Sequence, residues 1–382
     1  MNFDLSEEQQ MLADAVGKLF EAHARDVDVD PGLKWIGYLE LGLLGRPFAE
    51  EQGGFGGGQE DIMLVMEAYG RTLGTAPYLQ SVLMAGRLLA LAGGTAATEA
   101  LSGLLDGSQK YALCLFEPDS RYRWDKPMTK AERSDTGWTL SGEKCAVLNA
   151  DAETTLICPA TTPEGLRLFL IPPGTSGVSL RERPTPDGRV AADIVLDGVE
   201  IPETAAIGDP ADNGELVVEV VDGAILACCS EAIGAMEKLL ALTVEYLGTR
   251  NQFGTAIGSF QVLQHRAADM LIALEQARSI TIHAISMMDA PPAQRHIAVA
   301  AAKALANRTS RFVGSQAIQL HGGMGLASEY PAGRYFQRLT VLETLFGDSN
   351  HHLTEMEKGG GLAAALIRPN RPNRVRSCPA PA

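Results

Sequence analysis

The sequence predicts an α+β protein in which a β domain is inserted between two helical domains. Residues 1–109 and 213–366 place apolar side chains at helical spacing, with few helix breakers in the second of these stretches. Residues 110–212 instead contain short apolar or alternating runs, separated by Pro, Gly and Asp at turn-like intervals. Because helical, strand-rich and helical stretches follow one another, we expect three domains with these boundaries.

Local sequence patterns support this assignment near both ends of the chain. Ser6 and Gln9 have the spacing of a capping box at the start of the first helix. The glycine-rich stretch GGFGGG at 53–58 is interpreted as a loop, since it lacks the Lys-Ser/Thr that would follow in a phosphate-binding loop. Residues 367–382 are rich in Pro and Arg, which predicts a disordered tail, with a basic binding arm as the alternative.

The net charge argues against two classes of partner. The chain carries a formal charge of −15 at pH 7. Nucleic acids and anionic membranes attract basic surfaces, so we expect neither as a partner. An anionic substrate is not excluded, because a local basic pocket can exist on an acidic protein.

Membrane and metal signals are also missing from the sequence. No apolar run reaches the ~18 residues that a membrane span needs, and the acidic N-terminus lacks the pattern of a signal peptide. We therefore expect no membrane span and a cytoplasmic location. The six cysteines form no CxxC pair and have no histidine at zinc spacing, so we expect no metal site.

Two motifs in the C-terminal stretch point to a ligand. In TRNQFG at 249–254, Arg250 precedes a turn at Phe253 and Gly254. In QLHGGMG at 319–325, the glycines permit close approach of the backbone and offer N–H groups to an anion. Together with four other segments, these motifs resemble the acyl-CoA dehydrogenase family over roughly residues 3–365. The other segments are LGLLGRPFAEEQGGFGG at 41–57, FEP at 116–118, LSGEK at 140–144 and VLDGVEIP at 195–202.

The resemblance implies a fold and a shared cofactor. It implies an N-terminal helical domain, a middle β-barrel domain and a C-terminal four-helix bundle, usually in tetramers, with FAD lying across a subunit interface. By the same resemblance, Arg250 would bind the pyrophosphate of the neighbouring subunit's FAD, with Phe253 packed beside it. Gln319 and the backbone of Gly322 and Gly323 would complete that half of the site. An arginine fork suits a diphosphate; the alternative is that Arg250 only caps a helix.

The positions of the family's catalytic base are apolar in this chain. Members use a positioned carboxylate to remove a proton next to the thioester carbonyl. Phe346 and Ala224 occupy its two customary positions, so we expect no catalytic residue there. Asp222 and Asp348 are the fallback candidates, with an ordinary solvated surface as the alternative. An offset of two residues turns about 200° on a helix, so Asp222 would face away from the position of Ala224.

The positions that surround the flavin ring in the family are also altered. Phe116 stands where members carry a threonine, and Ala146-Val147-Leu148 replaces a Trp-Ile-Thr segment. Two hydroxyl donors and a packing indole are therefore lost. Polar atoms of a flavin ring would be left unpaired at such a site.

The pattern of retained and lost residues predicts the base-lacking partner subunit of a heteromeric (α2β2) acyl-CoA dehydrogenase. Such assemblies are known in the family from bacterial degradation of sterol and bile-acid side chains. The expected partners are a homologous subunit in a heterotetramer, an acyl-CoA substrate, shared FAD and an electron-transfer flavoprotein. Two alternatives remain: a self-sufficient homomeric enzyme with a relocated carboxylate, and a non-enzymatic scaffold.

Overall fold

The computed structural model describes residues 5–25, 31–327 and 329–360, and the tail expected at 367–382 lies outside these ranges. Within them, a helical region is followed by a β region and then by a second helical region. This order confirms the predicted fold class. None of the described helices is both long and apolar enough to cross a membrane.

The N-terminal region consists of five α-helices and a π-helical segment. The predicted capping box is present, since the Ser6 backbone N–H donates to Gln9 Oε1 and the Gln9 N–H donates to Ser6 Oγ, each at 3.1 Å. The helices bury Phe20, Tyr38 and Tyr69 against one another, which fixes their mutual packing. Their bounds are α1 Glu7–Arg25, α2 Pro31–Glu40, α3 Gln59–Arg71, the π-helical segment Tyr78–Gly86, α4 Arg87–Ala92 and α5 Gly94–Leu105.

The middle region is built on one eight-stranded sheet. Its strand order is β6-β7-β3-β2-β4-β5-β8, with β1 paired in parallel to β4. β3 and β7 are the longest strands and pair antiparallel, and their inward side chains, such as Trp138 and Leu140, are fully buried. The strands are β1 Tyr111–Leu113, β2 Lys130–Arg133, β3 Gly137–Leu148, β4 Thr155–Thr162, β5 Gly165–Ile171, β6 Val178–Pro184, β7 Val190–Pro202 and β8 Ala206–Ile207.

Two motif residues form a buried ion pair inside this region. Lys144 Nζ donates to Glu117 Oε1 and to the Pro159 carbonyl oxygen, both at 2.7 Å. Thr129 donates to the same carboxylate from its backbone N–H and its hydroxyl. Burial alone would raise the pKa of Glu117, but Lys144 outweighs it and holds that pKa below its ordinary value. The Glu of FEP and the Lys of LSGEK are therefore scaffold residues, and they fix the neighbouring Phe116.

The C-terminal region is a bundle centred on one long helix, α6. This helix is buried along most of its length and contacts α3, α7, α8 and α9. A short hairpin, β9 and β10, connects it to α7. The bounds are α6 Asn213–Thr249, β9 Asn251–Gln252, β10 Thr255–Ala256, α7 Gln261–Ile285, α8 Pro292–His321, α9 Ala332–Thr344 and α10 Ser349–Lys358.

The N-terminal region meets the bundle where α3 crosses α6 with backbone-to-backbone contact. A Cβ atom added to Gly70 would lie 2.0 Å from the Glu231 carbonyl oxygen. One added to Gly234 would lie 1.9 Å from the Glu67 carbonyl oxygen. Neither backbone oxygen can move without disturbing its own helix, so both positions require glycine at this distance.

A buried network of charges joins all three regions. Arg338 on α9 donates to both carboxylate oxygens of Glu231 on α6, at 2.7 and 2.8 Å, and to Asp187 at 2.8 Å. Arg189, beyond the turn from Asp187, donates to Glu231 at 3.1 Å and to the carbonyl oxygen of Gly74 at 2.6 Å. Burial would raise the pKa of Glu231, but the two arginines outweigh it and hold the pKa below 4.5.

We expect Gly234→Ala to lower the free energy of unfolding by about 1–3 kcal/mol, because the added methyl group must push two helices apart. Gly223→Ala is the matched control on the same helix, since a Cβ there meets nothing within 4 Å. It should be neutral or stabilise by up to about 1 kcal/mol. Chemical denaturation of both variants measures the difference, and equal stabilities would contradict the close helix crossing.

We expect Glu231→Gln to lower the free energy of unfolding by about 3–5 kcal/mol, since it removes a buried negative charge that Arg338 and Arg189 share and leaves the two arginines with Asp187. The pair of the exposed Lys358 with the half-buried Glu355 gives the control, because Lys358→Ala should cost less than about 1 kcal/mol.

The same network predicts a pH dependence. Because the pKa of Glu231 is depressed on folding, its contribution is complete above pH 4.5 and is lost as the pH falls through the lower folded value. Denaturation curves below pH 4.5 should therefore lose stability in the wild type more steeply than in Glu231→Gln. Parallel pH profiles would contradict the assignment.

Candidate functional site

The Arg250 motif forms an exposed hairpin at the end of α6. Gln252 pairs with Thr255 across a turn in which Phe253 and Gly254 both have positive φ, 54° and 80°. Two left-handed residues are typical of a type I′ turn, which gives the hairpin a tight, defined tip. The Phe253 ring is 91% exposed, and its centroid lies 6.2 Å from that of the Phe260 ring in an edge-on arrangement.

An aromatic cluster brings together the Arg250 motif and the glycine motif at 319–325. The ring of His321, at the end of α8, lies 4.7 Å from that of Tyr246 on α6 and 4.8 Å from that of Tyr330. The Arg250 N–H donates to the Tyr246 carbonyl oxygen, so the ends of α6 and α8 are tied to the same cluster. Sequence reasoning missed this cluster, although His321 and Tyr330 flank the glycines of the second motif.

The cluster itself is uncharged. His321 Nδ1 lies 2.8 Å from the Ala317 carbonyl oxygen and Nε2 lies 3.0 Å from the Tyr330 hydroxyl. Burial lowers the pKa of His321, so the ring is neutral at pH 7. Its Nδ1 then carries the proton, because a carbonyl oxygen only accepts. The cluster is thus a structural joint between the two helices.

The residues expected to reach a cofactor lie on the surface beside this joint. Arg250, Gln319, Gly322 and Gly323 are all exposed. Within the described part of the chain, Arg250 makes no ion pair within 4.0 Å. A Cβ added to either glycine meets nothing within 4 Å, so the space in front of the backbone is open. The arrangement presents a guanidinium and unobstructed backbone to an external anion.

The two positions expected to serve a base and a flavin contact are packed against each other. Phe346 is fully buried, and its ring lies 5.7 Å from that of Phe116, with the planes inclined by 33°. Trp124 packs edge-on against Phe116 at 6.5 Å. Apolar rings therefore stand at the two positions where the resemblance leads us to expect a carboxylate and a hydroxyl, and the third ring packs beside them. We name the three rings the aromatic plug.

The turn that carries Phe346 is held by polar side chains from two helices. Its backbone has a positive φ of 59°, which is strained for a bulky residue. His352 on α10 donates from Nε2 to the Phe346 carbonyl oxygen at 3.0 Å, and Asn307 on α8 donates to that of Gly347 at 3.2 Å. Burial, with the nearby Lys303, lowers the pKa of His352 to about 3, so it is a neutral donor. The turn is therefore rigidly defined, although its side chain is apolar.

The residues at the second expected base position and the two fallback carboxylates have structural roles. Ala224 is fully buried in α6. Asp222 is 1% exposed and accepts from Arg295 Nε at 3.1 Å, while its other oxygen lies 3.0 Å from His296 Nδ1. Asp348 is the N-cap of α10 and accepts from the His351 N–H at 2.8 Å. Both carboxylates thus have partners that explain their positions.

The segment Ala146–Leu148, which the resemblance also places at the flavin ring, has no hydroxyl groups. Ala146 has a positive φ of 51° at an irregularity of the β3–β7 pairing, and its N–H lies 3.2 Å from Asp193 Oδ1. Val147 is buried and Leu148 is half-buried. The bend of the strand at Ala146 is formed without any side chain that could donate to a ring. Among the described residues, no group of three His, Cys, Asp or Glu side chains could hold a metal ion.

Comparison with known proteins identifies the family. The model of the acyl-CoA dehydrogenase N-terminal domain matches residues 6–107 and that of the C-terminal domain matches residues 216–360, together more than half of the chain. The chain belongs to the acyl-CoA dehydrogenase family. It is 29% identical to the probable acyl-CoA dehydrogenase YngJ of Bacillus subtilis over 369 residues, which are 91% of this chain and 97% of YngJ.

Two similar solved structures are each named for two components. A variant of the Tcur3481-Tcur3483 steroid ACAD is 28% identical with a TM-score of 0.83, covering 94% of this chain and 99% of that one. The ChsE4-ChsE5 complex from Mycobacterium tuberculosis is 25% identical with a TM-score of 0.83, covering 94% and 98%.

FAD is the typical cofactor of the acyl-CoA dehydrogenase family. The residues of this chain suit the pyrophosphate of FAD but not its flavin ring. The exposed guanidinium of Arg250 and the open backbone at Gly322 and Gly323 suit a pyrophosphate. The positions that would contact the flavin ring hold Phe116, in contact with Phe346, and offer no polar side-chain atom.

We expect Asp222→Asn to lower the pKa of His296. The hydrogen bond to Asp222 is the main cause that raises the pKa of His296 above 6.5. Because the pKa is raised on folding, the stability from this contact is complete below pH 6.5 and is lost as the pH rises through the folded value. NMR titration of the His296 ring measures the change. Asp348→Asn is the control and should leave His296 unchanged; an unchanged pKa in Asp222→Asn would contradict the contact.

Proposed function

We propose that this chain is the base-lacking subunit of a heteromeric acyl-CoA dehydrogenase that completes the FAD site of a homologous catalytic subunit. The complex would carry out α,β-dehydrogenation of an acyl-CoA thioester and pass electrons to an electron-transfer flavoprotein. The assembly would be a heterotetramer. The proposal rests on the contrast between two sets of residues in this one chain.

The contact between Phe116 and Phe346 is the observation that carries the proposal. A general base must reach the proton that it removes, and a phenyl ring has no proton acceptor. Replacing one of the two polar groups would weaken a site, whereas here both positions are aromatic and pack on each other. With their centroids 5.7 Å apart, the two rings leave no room between them for a flavin ring or an acyl chain.

The outward half of the site supports a role toward a neighbour. FAD bound in the complex would supply the hydride acceptor. Arg250 would neutralise the pyrophosphate charge, Phe253 would cover the cofactor from water, and Gln319 would donate from its amide. The N–H groups at Gly322 and Gly323 would complete the anion contacts. None of these groups turns inward to this chain's own plug.

The structural neighbours support a partner of the same family. One is described as a steroid ACAD formed by Tcur3481 and Tcur3483 and another as a ChsE4-ChsE5 complex, so two-component dehydrogenases share this fold at 25–28% identity. A steroid-linked acyl-CoA is accordingly the substrate class that we propose for the complex.

Co-expression with a homologous subunit that has the missing Glu and Thr tests this function. The chain alone should purify without stoichiometric flavin absorbance and without turnover, whereas the complex should show both. Arg250→Ala should weaken FAD retention in the complex by roughly tenfold or more, as expected for a lost charged hydrogen bond. Arg181→Ala, which removes an exposed arginine of β6, is the matched control and should retain FAD.

Three outcomes would overturn the proposal. Full flavin content and turnover in the lone chain would show a self-sufficient enzyme. Loss of turnover in the complex with Asp222→Asn or Asp348→Asn, while FAD stays bound, would identify a relocated base in this chain. A complex that forms but never retains FAD would instead indicate a scaffold.

A further inference from the structure

A basic cleft lies on the side of the molecule where α1, α2 and α6 meet the start of α9. It has a volume of about 490 Å³ and shares no residue with the plug or with the outward FAD half-site. Five cationic side chains line it, namely Arg25, Lys34, Arg71, Lys238 and Arg334. We call this feature the basic cleft.

The concentration of positive charge is unusual for this chain. The protein has a formal net charge of −15, yet the five cations of the basic cleft share its lining with one acidic side chain, Glu21. Like charges that face a common space repel one another, so their clustering requires a compensating anion. Part of that compensation is present in the chain itself.

Two of the five cations have acidic partners. Arg25 pairs with Glu21 at 3.3 Å, where both side chains are largely exposed. Arg71 is held more firmly, at 3.1 Å from Glu67 and 2.9 Å from Glu237. Arg71 is therefore fixed in place at the floor of the basic cleft.

The other three cations have no acidic partner among the residues that the structure describes. Within the described ranges, neither Lys34 nor Lys238 nor Arg334 has a carboxylate oxygen within 4.0 Å. Lys34 Nζ donates to the Thr75 hydroxyl at 3.4 Å, a long contact to a neutral group. Three cations from α2, α6 and α9 thus line the basic cleft with no ion pair to another described residue.

The walls offer further contacts to an anion. The cleft reaches Pro331, and α9 begins at the next residue, so the positive end of that helix dipole lies at the rim. His23 also lines the cleft, and its Nδ1 is buried without a hydrogen-bond partner among the described residues. Tyr38 and Tyr335 add apolar surface, and Tyr335 is anchored by donating to the Arg71 carbonyl oxygen.

We propose that the basic cleft binds a small multivalent anion of the organic phosphate class. The volume of the basic cleft lies within the ~300–1,000 Å³ that is usual for small-molecule pockets. The cleft is far too small to hold a macromolecule. Several cations that converge on one enclosed space suit a multivalent phosphate, and guanidinium groups match its oxygens in geometry. Aromatic walls provide a surface for the organic part of the ligand.

Calorimetric titration of the full chain with inorganic pyrophosphate tests the proposal, with citrate as the polycarboxylate comparison. Lys238→Ala/Arg334→Ala should weaken binding by roughly tenfold or more, since two charged contacts are lost. Lys130→Ala/Arg181→Ala removes two exposed cations of the β sheet and should bind like the wild type. Arg250→Ala should also retain binding, which separates the basic cleft from the FAD half-site. Binding should weaken as salt is added.

Four outcomes would overturn the proposal. One is the absence of saturable pyrophosphate binding, and another is unchanged affinity in Lys238→Ala/Arg334→Ala. The third concerns Asp26, Asp28 and Asp30, which precede Lys34 in the sequence. If only Asp26→Asn/Asp28→Asn/Asp30→Asn binds pyrophosphate, the chain's own acidic segment is the occupant. Tighter binding of citrate than of pyrophosphate would replace the phosphate class by polycarboxylates.

Discussion

The buried contact between Glu231 and Arg338 is the constraint on which the arrangement of the three regions depends. A carboxylate and a guanidinium deep in a protein are stable only when their hydrogen bonds are satisfied together. Here Arg338 comes from α9 and Glu231 from α6, while Asp187 and Arg189 reach them from the loop between β6 and β7. The sheet, the bundle and the N-terminal loop must therefore meet in one geometry. Since α9 ends just before Phe346, the same contact brings that residue to the sheet.

The close crossing of α3 and α6 makes this network possible. Gly70 and Gly234 let the two helices touch through their backbones, which brings Glu231 within reach of groups from every region. Larger residues there would separate the helices, and each charge would then be buried without its partner. Packing and electrostatics are thus coupled: the small residues fix the distance, and the charges fix the orientation.

Local sequence patterns predicted those features of the fold that depend on interactions between residues close in sequence. The order of helical and strand-rich stretches, the capping box at Ser6 and the turn at Phe253 follow from spacing and turn chemistry. Contacts between distant residues could not be obtained this way, because Phe116 and Phe346 are separated by 230 positions and nothing in either segment specifies the other. The resemblance to a family indicated which positions to examine. The contact itself, and the unpaired cations of the basic cleft, required three-dimensional structure.

Phe346 and Phe253 both have a positive φ, and different interactions compensate for the strain at the two turns. A bulky residue with positive φ costs about 1–3 kcal/mol and persists only where other interactions compensate. At Phe346 the compensation is internal, since the ring is buried against Phe116 and the backbone is bonded by His352. At Phe253 the ring is 91% exposed, and an edge contact with Phe260 is its only ring contact in the described chain. At Phe253 the turn geometry itself supports the positive φ, because Gln252 pairs with Thr255 on either side of a two-residue turn.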